Sequence, residues 1–568
     1  MDDKSTVTYF PADYINDMRS ALLRLRQDKI VERIWAKDHT VWKPSAEEIA
    51  NRLGWLDSPA ETLKNLSYIL SVSSSVCRDG FKHVVLLGMG GSSLAAEVFG
   101  KMFGSRAGYP DLHVLDTTDP LSISRITQKL TLEKTIFLVS SKSGTTVETI
   151  YLFQYFFNLC RKESGAAGHF MFITDPGSPL EELAYRHTIR HVFLSNTSIG
   201  GRFSALSLPG IVPAALIGVD IERLLKKATA AAQKEKVAPP TDKLDSSGIT
   251  LGVVLGTLAK NGRNKLTFVF PPQCQPLGCW LEQLIAESTG KEGKGIVPVV
   301  DDSLDIPDNY RQDRCFVVYD DGKKEYADRI TNLTAAGHPV ITIQVRDNYD
   351  LGSQMFFWEM ATAVVGYVLR VNPFDQPDVE SAKALTKKMI DLYREKKGLP
   401  QEAPALVTKE CRVYGGGNCS SLSEAWKNFL SQGKEDSYVC LQAYLSPAPE
   451  IAAALNELCN ILKRKTRMAV TVARGPRYLH STGQLYKGDA GHGLFVQFTA
   501  DDENDIAIPD GIGSPASTLS FAAFKAAQAL GDRQALNALG RKVIRFHLGI
   551  NPAKNLRELI AAFREDKA

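Results

Sequence analysis

Two turns in this sequence have the composition of phosphate-binding loops. In the first, Gly88-Met-Gly-Gly-Ser-Ser93 follows an apolar run and precedes a helical segment that begins at Leu94. Glycines permit backbone conformations closed to other residues, and a helix start offers free N–H groups to an anion. Nucleotide sites and purely structural turns also use such glycines, although this turn lacks the G-x-G-x-x-G spacing. We predict that Gly91 and Ser92 contact an anionic ligand.

The second turn, Ser140-Ser-Lys-Ser-Gly-Thr-Thr146, places five hydroxyl groups, one lysine and one glycine within seven residues. Hydroxyl donors beside a helix start suit a phosphate monoester. A P-loop would end in Gly-Lys-Ser/Thr, which is missing here. A helix cap requires a single hydroxyl rather than five. The turn therefore predicts phosphate contacts from Ser141, Lys142, Ser143, Thr145 and Thr146.

The elements around these turns alternate between strand and helix from about residue 80 to 210. A helix is predicted over Thr146–Cys160, and strands are predicted over His83–Leu87, Leu112–Leu115, Thr135–Ser140, His169–Thr174 and His191–Leu194. This alternation indicates a parallel sheet covered by helices on both faces. Both turns then lie beyond the C-terminal ends of strands, where open α/β sheets bind ligands. No acidic residue is placed to bind the ribose of a nucleotide.

The same alternation recurs between about residues 240 and 400. It predicts strands over Lys265–Val269, Arg314–Tyr319 and Val340–Val345, and helices over Cys279–Ser288, Tyr326–Ala336 and Gly352–Leu369. We therefore predict an α/β fold with two doubly wound parallel-sheet domains, 61–236 and 240–400. A helical N-terminal segment, 1–60, precedes them. A C-terminal α/β region, 405–568, follows a proline-rich break in composition.

Composition and charge exclude several classes of function. The 568 residues carry a formal net charge of +3, which offers no strongly basic surface for nucleic acid or a membrane. No apolar run is long enough to span a bilayer, and the N-terminus lacks the pattern of a signal peptide. The nine cysteines are scattered without metal-ligand spacing. We expect reduced thiols, no metal site and a cytoplasmic protein.

Five motifs, in order along the chain, resemble those of a known family. The two turns are similar to those of sugar isomerase (SIS) domains, which makes the two predicted domains SIS-like. Three further stretches narrow the resemblance to the glucose-6-phosphate isomerase family: Gly200-Gly-Arg-Phe-Ser204, Gln283-Leu-Ile-Ala-Glu-Ser-Thr-Gly-Lys291 and Asn372-Pro-Phe-Asp-Gln-Pro-Asp-Val-Glu-Ser-Ala-Lys383. The whole chain resembles most the isomerase part of bifunctional transaldolase/glucose-6-phosphate isomerase proteins.

The resemblance implies reversible, cofactor-free conversion of glucose 6-phosphate to fructose 6-phosphate. It assigns proton transfer to Glu287, because a carboxylate that reaches C1 and C2 can carry the proton between them. It assigns stabilisation of the enediolate to Arg202, whose guanidinium stays ionised, and help in ring opening to Lys383. It also implies a homodimer with sites at the interface and sugar contacts from Gly201, Gln283 and Gln376.

The sequence departs from the family pattern in two places. Pro377 and Asp378 replace a tryptophan and a glycine that many members carry, and residues 310–325 lack the histidine of the usual Asn-Gly-Gln-His stretch. The best substitute for this ring-opening histidine is His480, in the polar stretch Tyr478–Gly488. Its side chain titrates near neutral pH, as ring opening requires. His338 is a second, weaker candidate.

Three alternatives remain open at this point. The first is an isomerase that also accepts mannose 6-phosphate, since the choice of epimer depends on the shape of the pocket near Thr289. The second is a non-catalytic sugar-phosphate-binding SIS protein, although binding alone would not require a base such as Glu287. The third, a transaldolase-like activity, needs a Schiff-base lysine inside a β/α barrel, and the two-sheet pattern provides no such barrel.

Overall fold

Three multi-stranded β-sheets, each packed against helices, organise the chain in the computed structural model, which describes residues 7–161, 165–322 and 327–564. The strands, in chain order, are β1 (Val7–Phe10), β2 (His83–Leu87), β3 (Asp111–Leu115), β4 (Thr135–Ser140), β5 (Phe170–Thr174), β6 (His191–Leu194), β7 (Lys265–Val269), β8 (Val297–Val299), β9 (Arg314–Asp320), β10 (Val340–Gln344), β11 (Leu406–Val407), β12 (Arg412–Tyr414), β13 (Tyr438–Tyr444), β14 (Ala469–Arg474), β15 (Gly493–Thr499), β16 (Ala507–Ile508), β17 (Leu519–Ser520) and β18 (Lys542–His547). The predicted α/β class is confirmed.

The helices alternate with these strands through most of the chain. They are α1 (Ile15–Gln27), α2 (Ile30–Trp35), α3 (Ser58–Lys64), α4 (Leu66–Arg78), α5 (Leu94–Phe103), α6 (Pro120–Lys129), α7 (Val147–Arg161), α8 (Pro179–Arg186), α9 (Leu208–Leu216), α10 (Ile221–Lys234), α11 (Gly248–Lys260), α12 (Leu277–Thr289), α13 (Ala327–Ala335), α14 (Asp350–Leu369), α15 (Glu380–Lys396), α16 (Leu422–Leu430), α17 (Pro449–Thr466), α18 (Gly483–Gly488), α19 (Phe521–Ala538) and α20 (Pro552–Arg564). Among the described residues, no helix is both long enough and apolar enough to cross a membrane.

The first sheet carries both predicted phosphate turns at the C-terminal ends of its strands. Its order is β3-β2-β4-β5-β6, and every pair is parallel. All six residues of β4 are buried, as expected for a central strand with helices on both faces. Because β2 and β4 are neighbours and parallel, the turns that follow them open at the same end of the sheet.

The second sheet has the order β1-β10-β9-β7-β8, and β1 is its antiparallel edge strand. The prediction of a wholly helical N-terminal segment is therefore wrong for Val7–Phe10, although α1 and α2 follow. The residues Val-Thr-Tyr-Phe are β-branched or aromatic and favour a strand once a sheet edge is available. The three-residue strand β8 was not predicted either, because so short a run has no periodicity. The part of the predicted Tyr326–Ala336 helix at Tyr326 lies outside the described residues.

The third sheet lies in the C-terminal region and has the order β11-β12-β18-β15-β13-β14. Four of its strands, β13, β14, β15 and β18, are parallel. Helix α19 connects this region to the first sheet, because Phe521 and Phe524 share one apolar cluster with Phe153 and Phe156 of α7. Met389 of α15 joins the same cluster. This packing brings the C-terminal region against the end of the first sheet that carries the phosphate turns.

Candidate active site

The turn after β4 presents its hydroxyl groups at the start of α7. Ser141 Oγ donates to Thr146 Oγ1 at 3.0 Å, and Ser143 Oγ lies 2.9 Å from Thr145 Oγ1. Ser143 and Thr145 are exposed. Lys142 Nζ pairs with the Asp175 carboxylate and donates to the carbonyl oxygen of Thr197 at 3.0 Å. The turn therefore combines exposed hydroxyl groups, one ammonium group and the N-terminus of a 15-residue helix, which is a suitable cradle for a phosphate group.

The turn after β2 contacts two other segments predicted to form the site. A Cβ atom added to Gly91 would overlap the backbone of Gly201. One added to Gly90, whose φ is +55°, would lie 2.5 Å from the carbonyl oxygen of His480. Ser92 ends the short 3-10 helix of this turn. Glycine at these positions lets three stretches, distant in sequence, approach one another at backbone distance.

The contact between Gly91 and Gly201 can be tested by Gly91→Ala. We expect a loss of about 1–3 kcal/mol in the free energy of unfolding, since the added methyl group must push the two turns apart. Chemical denaturation measures this loss. Gly168→Ala is the matched control, because a Cβ atom there meets nothing within 4 Å. Equal stability of Gly91→Ala and the wild type would mean that the two turns are not held at this distance.

Arg202 lies buried behind the candidate base. Its Nη1 is 3.3 Å from Glu287 Oε1 and donates to Gln376 Oε1 at 3.1 Å. Its Nη2 donates to the carbonyl oxygens of Pro373 and Asp375, both at 2.7 Å. Burial lowers the pKa of the Arg202 guanidinium overall, and the Glu287 and Asp375 carboxylates offset part of this effect. The guanidinium places positive charge beside the Glu287 carboxylate.

Gln283 links Glu287 to the C-terminal region. Its Nε2 lies 3.0 Å from Glu287 Oε2 and 2.9 Å from the carbonyl oxygen of His480. Gln283 and Glu287 are four residues apart on α12 and so share one helix face. The structure thus brings together four residues predicted from three separate motifs: Arg202, Gln283, Glu287 and Gln376.

His480 pairs with a carboxylate that the sequence motifs did not single out. His480 Nε2 lies 2.8 Å from Glu148 Oε1, near the start of α7, and Gln528 Nε2 donates to the same oxygen at 2.7 Å. Burial alone would raise the pKa of Glu148, but His480 lowers it overall. Burial would lower the pKa of His480, but the Glu148 charge raises it overall. The sequence could have indicated Glu148, because it lies two residues after the hydroxyl-rich turn.

Lys383 lies at the rim of the site. Its Nζ is 2.6 Å from Glu380 Oε1, and its side chain is 56% exposed. Its charge nevertheless lowers the pKa of both Glu148 and His480. Lys383 is therefore close enough to act on the His480–Glu148 pair, although it makes no hydrogen bond with either residue among the described contacts.

A second buried cation, Lys291, belongs to one of the family-like motifs but was not predicted to act in the site. Its Nζ lies 2.7 Å from Asp375 Oδ1 and donates to the carbonyl oxygen of Asp375 at 2.6 Å. Burial, and then the neighbouring Arg202, lower the pKa of Lys291 to about 7. Lys291 and Arg202 together hold the 372–376 turn, which positions Gln376.

One of the two departures from the family pattern, Asp378, contacts the C-terminal region. The backbone N–H of Asp378 donates to Gln484 Oε1 at 2.9 Å, and Gln484 Nε2 donates to the carbonyl oxygen of Gly290 at 3.0 Å. Asp378 thus packs against α18, just after His480. His338 is elsewhere: it is buried against Phe316 and Arg263 at the second sheet, and burial lowers its pKa to about 4.

Comparison with known proteins relates the chain to one family. Residues 63–299 match the family model described as phosphoglucose isomerase. The chain is similar to phosphoglucose isomerases. It is 28% identical over 394 residues to the glucose-6-phosphate isomerase of Mycoplasmopsis pulmonis, covering 60% of this chain and 90% of that protein. It is 29% identical over 388 residues to the enzyme of the same name from Rubrobacter xylanophilus, covering 57% and 86%.

Two solved structures share the fold over 67% and 68% of this chain. A hypothetical protein from Thermus thermophilus superposes with a TM-score of 0.56 at 25% identity, over 67% of this chain and 99% of that one. A glucose-6-phosphate isomerase from Chlamydia trachomatis has the same TM-score at 19% identity, over 68% and 89%. The family match contains Arg202 and Glu287, whereas Lys383 and His480 lie beyond it.

Proposed function

We propose that this chain catalyses the reversible isomerisation of D-glucose 6-phosphate to D-fructose 6-phosphate, a step of glycolysis and gluconeogenesis. The observation that carries the proposal is the position of the Glu287 carboxylate. This carboxylate lies beside the buried guanidinium of Arg202. Gln283 contacts both Glu287 and the backbone of His480, and His480 packs against the glycine turn after β2. A base, a charge stabiliser and a titratable acid in one place fit carbonyl transfer between adjacent carbons.

Ring opening is the first chemical step. The raised pKa of His480 keeps its imidazole protonated to higher pH than usual, so it can donate a proton to the ring oxygen as the bond from that oxygen to C1 breaks. The hydroxyl group at C1 gives its proton to solvent water, and C1 becomes the aldehyde carbon. Glu148 holds the imidazole in place, and Lys383 at the rim assists.

Proton transfer follows on the open chain. Glu287 removes the proton from C2, and the electron pair moves into a C1–C2 double bond, which leaves an enediolate. Arg202 offsets the negative charge that develops on oxygen. Glu287 then returns the proton to C1 while the proton of the C2 hydroxyl group passes to the oxygen at C1, and the carbonyl group is now at C2. Electrons move only within the substrate, so the reaction itself requires no redox cofactor.

The homodimer implied by the family resemblance stays a prediction. His480 and Glu148 contact each other within a single chain. A cytoplasmic location also stays a prediction, which the free thiols of Cys274 and Cys279 support. Association with a transaldolase rests on the sequence resemblance alone.

An assay for fructose 6-phosphate conversion, coupled to oxidation of the glucose 6-phosphate formed, tests the proposal. We expect turnover with fructose 6-phosphate. Mannose 6-phosphate, run in parallel, tests the dual-specificity alternative. The Thr289 hydroxyl is engaged with the backbone at Ile285 and Ile296, so it does not favour that alternative. A folded protein that binds sugar phosphate without turnover would instead favour the non-catalytic alternative.

A further inference from the structure

The third sheet has an open crevice of its own, separate from the site described above. A cavity of about 510 Å³ lies at the C-terminal ends of its strands and is lined by Tyr444 at the end of β13 and Thr499 at the end of β15. These two residues are register partners on neighbouring parallel strands. No residue assigned to the active site lines this cavity.

The topology makes this the position where a ligand is expected. From β13 the chain crosses to β14 on one side, and from β15 it crosses to β18 on the other. The connections that follow β13 and β15 therefore run toward opposite sides of the sheet, and the switch point lies between these two strands. Open α/β sheets bind ligands in the crevice at such a switch point.

One buried cation lies in the cavity wall. Arg545 of β18 is 9% exposed, and its Nε has no hydrogen-bond partner among the described residues. Its guanidinium carbon lies 3.8 Å from the centroid of the Tyr414 ring. The neighbouring Arg533 pairs with Glu402, whose side chain is half exposed. Within the described ranges Arg545 has no carboxylate within 4 Å, so its buried charge is stabilised by the Tyr414 ring and by the more distant Glu402 carboxylate rather than by a direct ion pair.

The other charged groups in the wall include carboxylates at the end of β15. Asp501 is half exposed and lies 3.2 Å from His547, and Asp502 lies 2.6 Å from Lys525. Carboxylates accept hydrogen bonds from hydroxyl groups, whereas a guanidinium binds phosphate. Arg545 covers one face of the Tyr414 ring, so a nucleotide base cannot stack on that face.

We propose that this crevice is a second ligand site that binds a phosphorylated polyol. Its phosphate group pairs with Arg545, and its hydroxyl groups donate to Asp501 and Asp502. The site goes beyond the isomerase reaction and does not depend on it.

Calorimetric titration with a hexitol 6-phosphate tests the site, since this probe has no carbonyl group and cannot be isomerised. We expect two binding sites per chain in the wild type. Arg545→Met should weaken one of them at least about 10-fold, through loss of a charge-assisted hydrogen bond, and leave isomerase turnover unchanged. Arg557→Met, an exposed arginine of α20 outside the cavity, is the matched control and should keep both sites.

Two further measurements complete the test. Ala526→Phe fills the cavity from α19 without removing a charge, so it tests the same site if Arg545→Met does not fold. Titration with inorganic phosphate tests the polyol contacts, because equally tight binding would overturn the role of Asp501 and Asp502. A single wild-type site that Arg545→Met and Ala526→Phe leave unchanged, or two sites retained in both variants, would overturn the proposal. Failure of the isomerase proposal would appear differently, as absent turnover with this second site intact.

Discussion

Replacing Glu287 with glutamine is expected to lower kcat about 10³-fold or more while leaving sugar-phosphate binding near that of the wild type. Glutamine has almost the same size, and its amide oxygen can keep one of the two contacts, with Arg202 or with Gln283, but its neutral amide cannot accept the proton from C2. The coupled fructose 6-phosphate assay gives kcat, and titration with a non-reacting hexitol phosphate gives the binding constant. Loss of turnover with retained binding is the expected result.

The neighbouring residue Glu282 provides a matched control for this substitution. It lies on the same helix but lines a different cavity, against Arg474 and Asp301. Burial, reinforced by Asp301, raises its pKa to about 8, so at pH 7 it is mainly neutral and glutamine resembles its native form. Glu282→Gln should keep kcat near the wild-type value. Equal losses in the two variants, or none in Glu287→Gln, would show that Glu287 is not the base.

Removal of the imidazole by His480→Ala is expected to lower kcat/KM for glucose 6-phosphate about 10²-fold, the usual contribution of one general acid. The loss should be much smaller with a four-carbon aldose phosphate, which cannot form a six-membered ring and so needs little help in opening. Parallel kinetics with the two substrates separate ring opening from proton transfer. A similar loss with both substrates would contradict the ring-opening role.

The pH dependence of activity tests the partner of His480 in the same experiment. The Glu148 charge raises the pKa of His480, and the acid is needed in its protonated form. Activity should therefore fall as pH rises through that raised pKa. In Glu148→Gln the charge is gone, the pKa of His480 drops, and the alkaline limb of kcat/KM should move to lower pH. His492→Ala is the control, since His492 pairs with Asp436 at 2.9 Å in the same region, and its profile should match the wild type.

Local patterns in the sequence determined the sheets and the chemistry near them. Apolar runs such as His83–Leu87 and Lys265–Val269 become strands with the predicted bounds, because strands buried on both faces require continuous apolar residues. The turns after β2 and β4 follow those strands as the strand–helix alternation predicts. The motif around Glu287 placed it one helical turn from Gln283.

Tertiary packing alone decided how the site is completed. His480 and Glu148 are 332 residues apart in sequence, and no periodicity links them. They meet because α19 and α15 pack the C-terminal region against α7, a long-range arrangement of apolar surfaces. The same packing gives Asp378 its partner Gln484. Sequence by itself therefore predicted the candidate base and its electrostatic support, whose residues sit in local motifs, whereas the Glu148 partner of His480 depended on contacts that form only when distant surfaces are buried together.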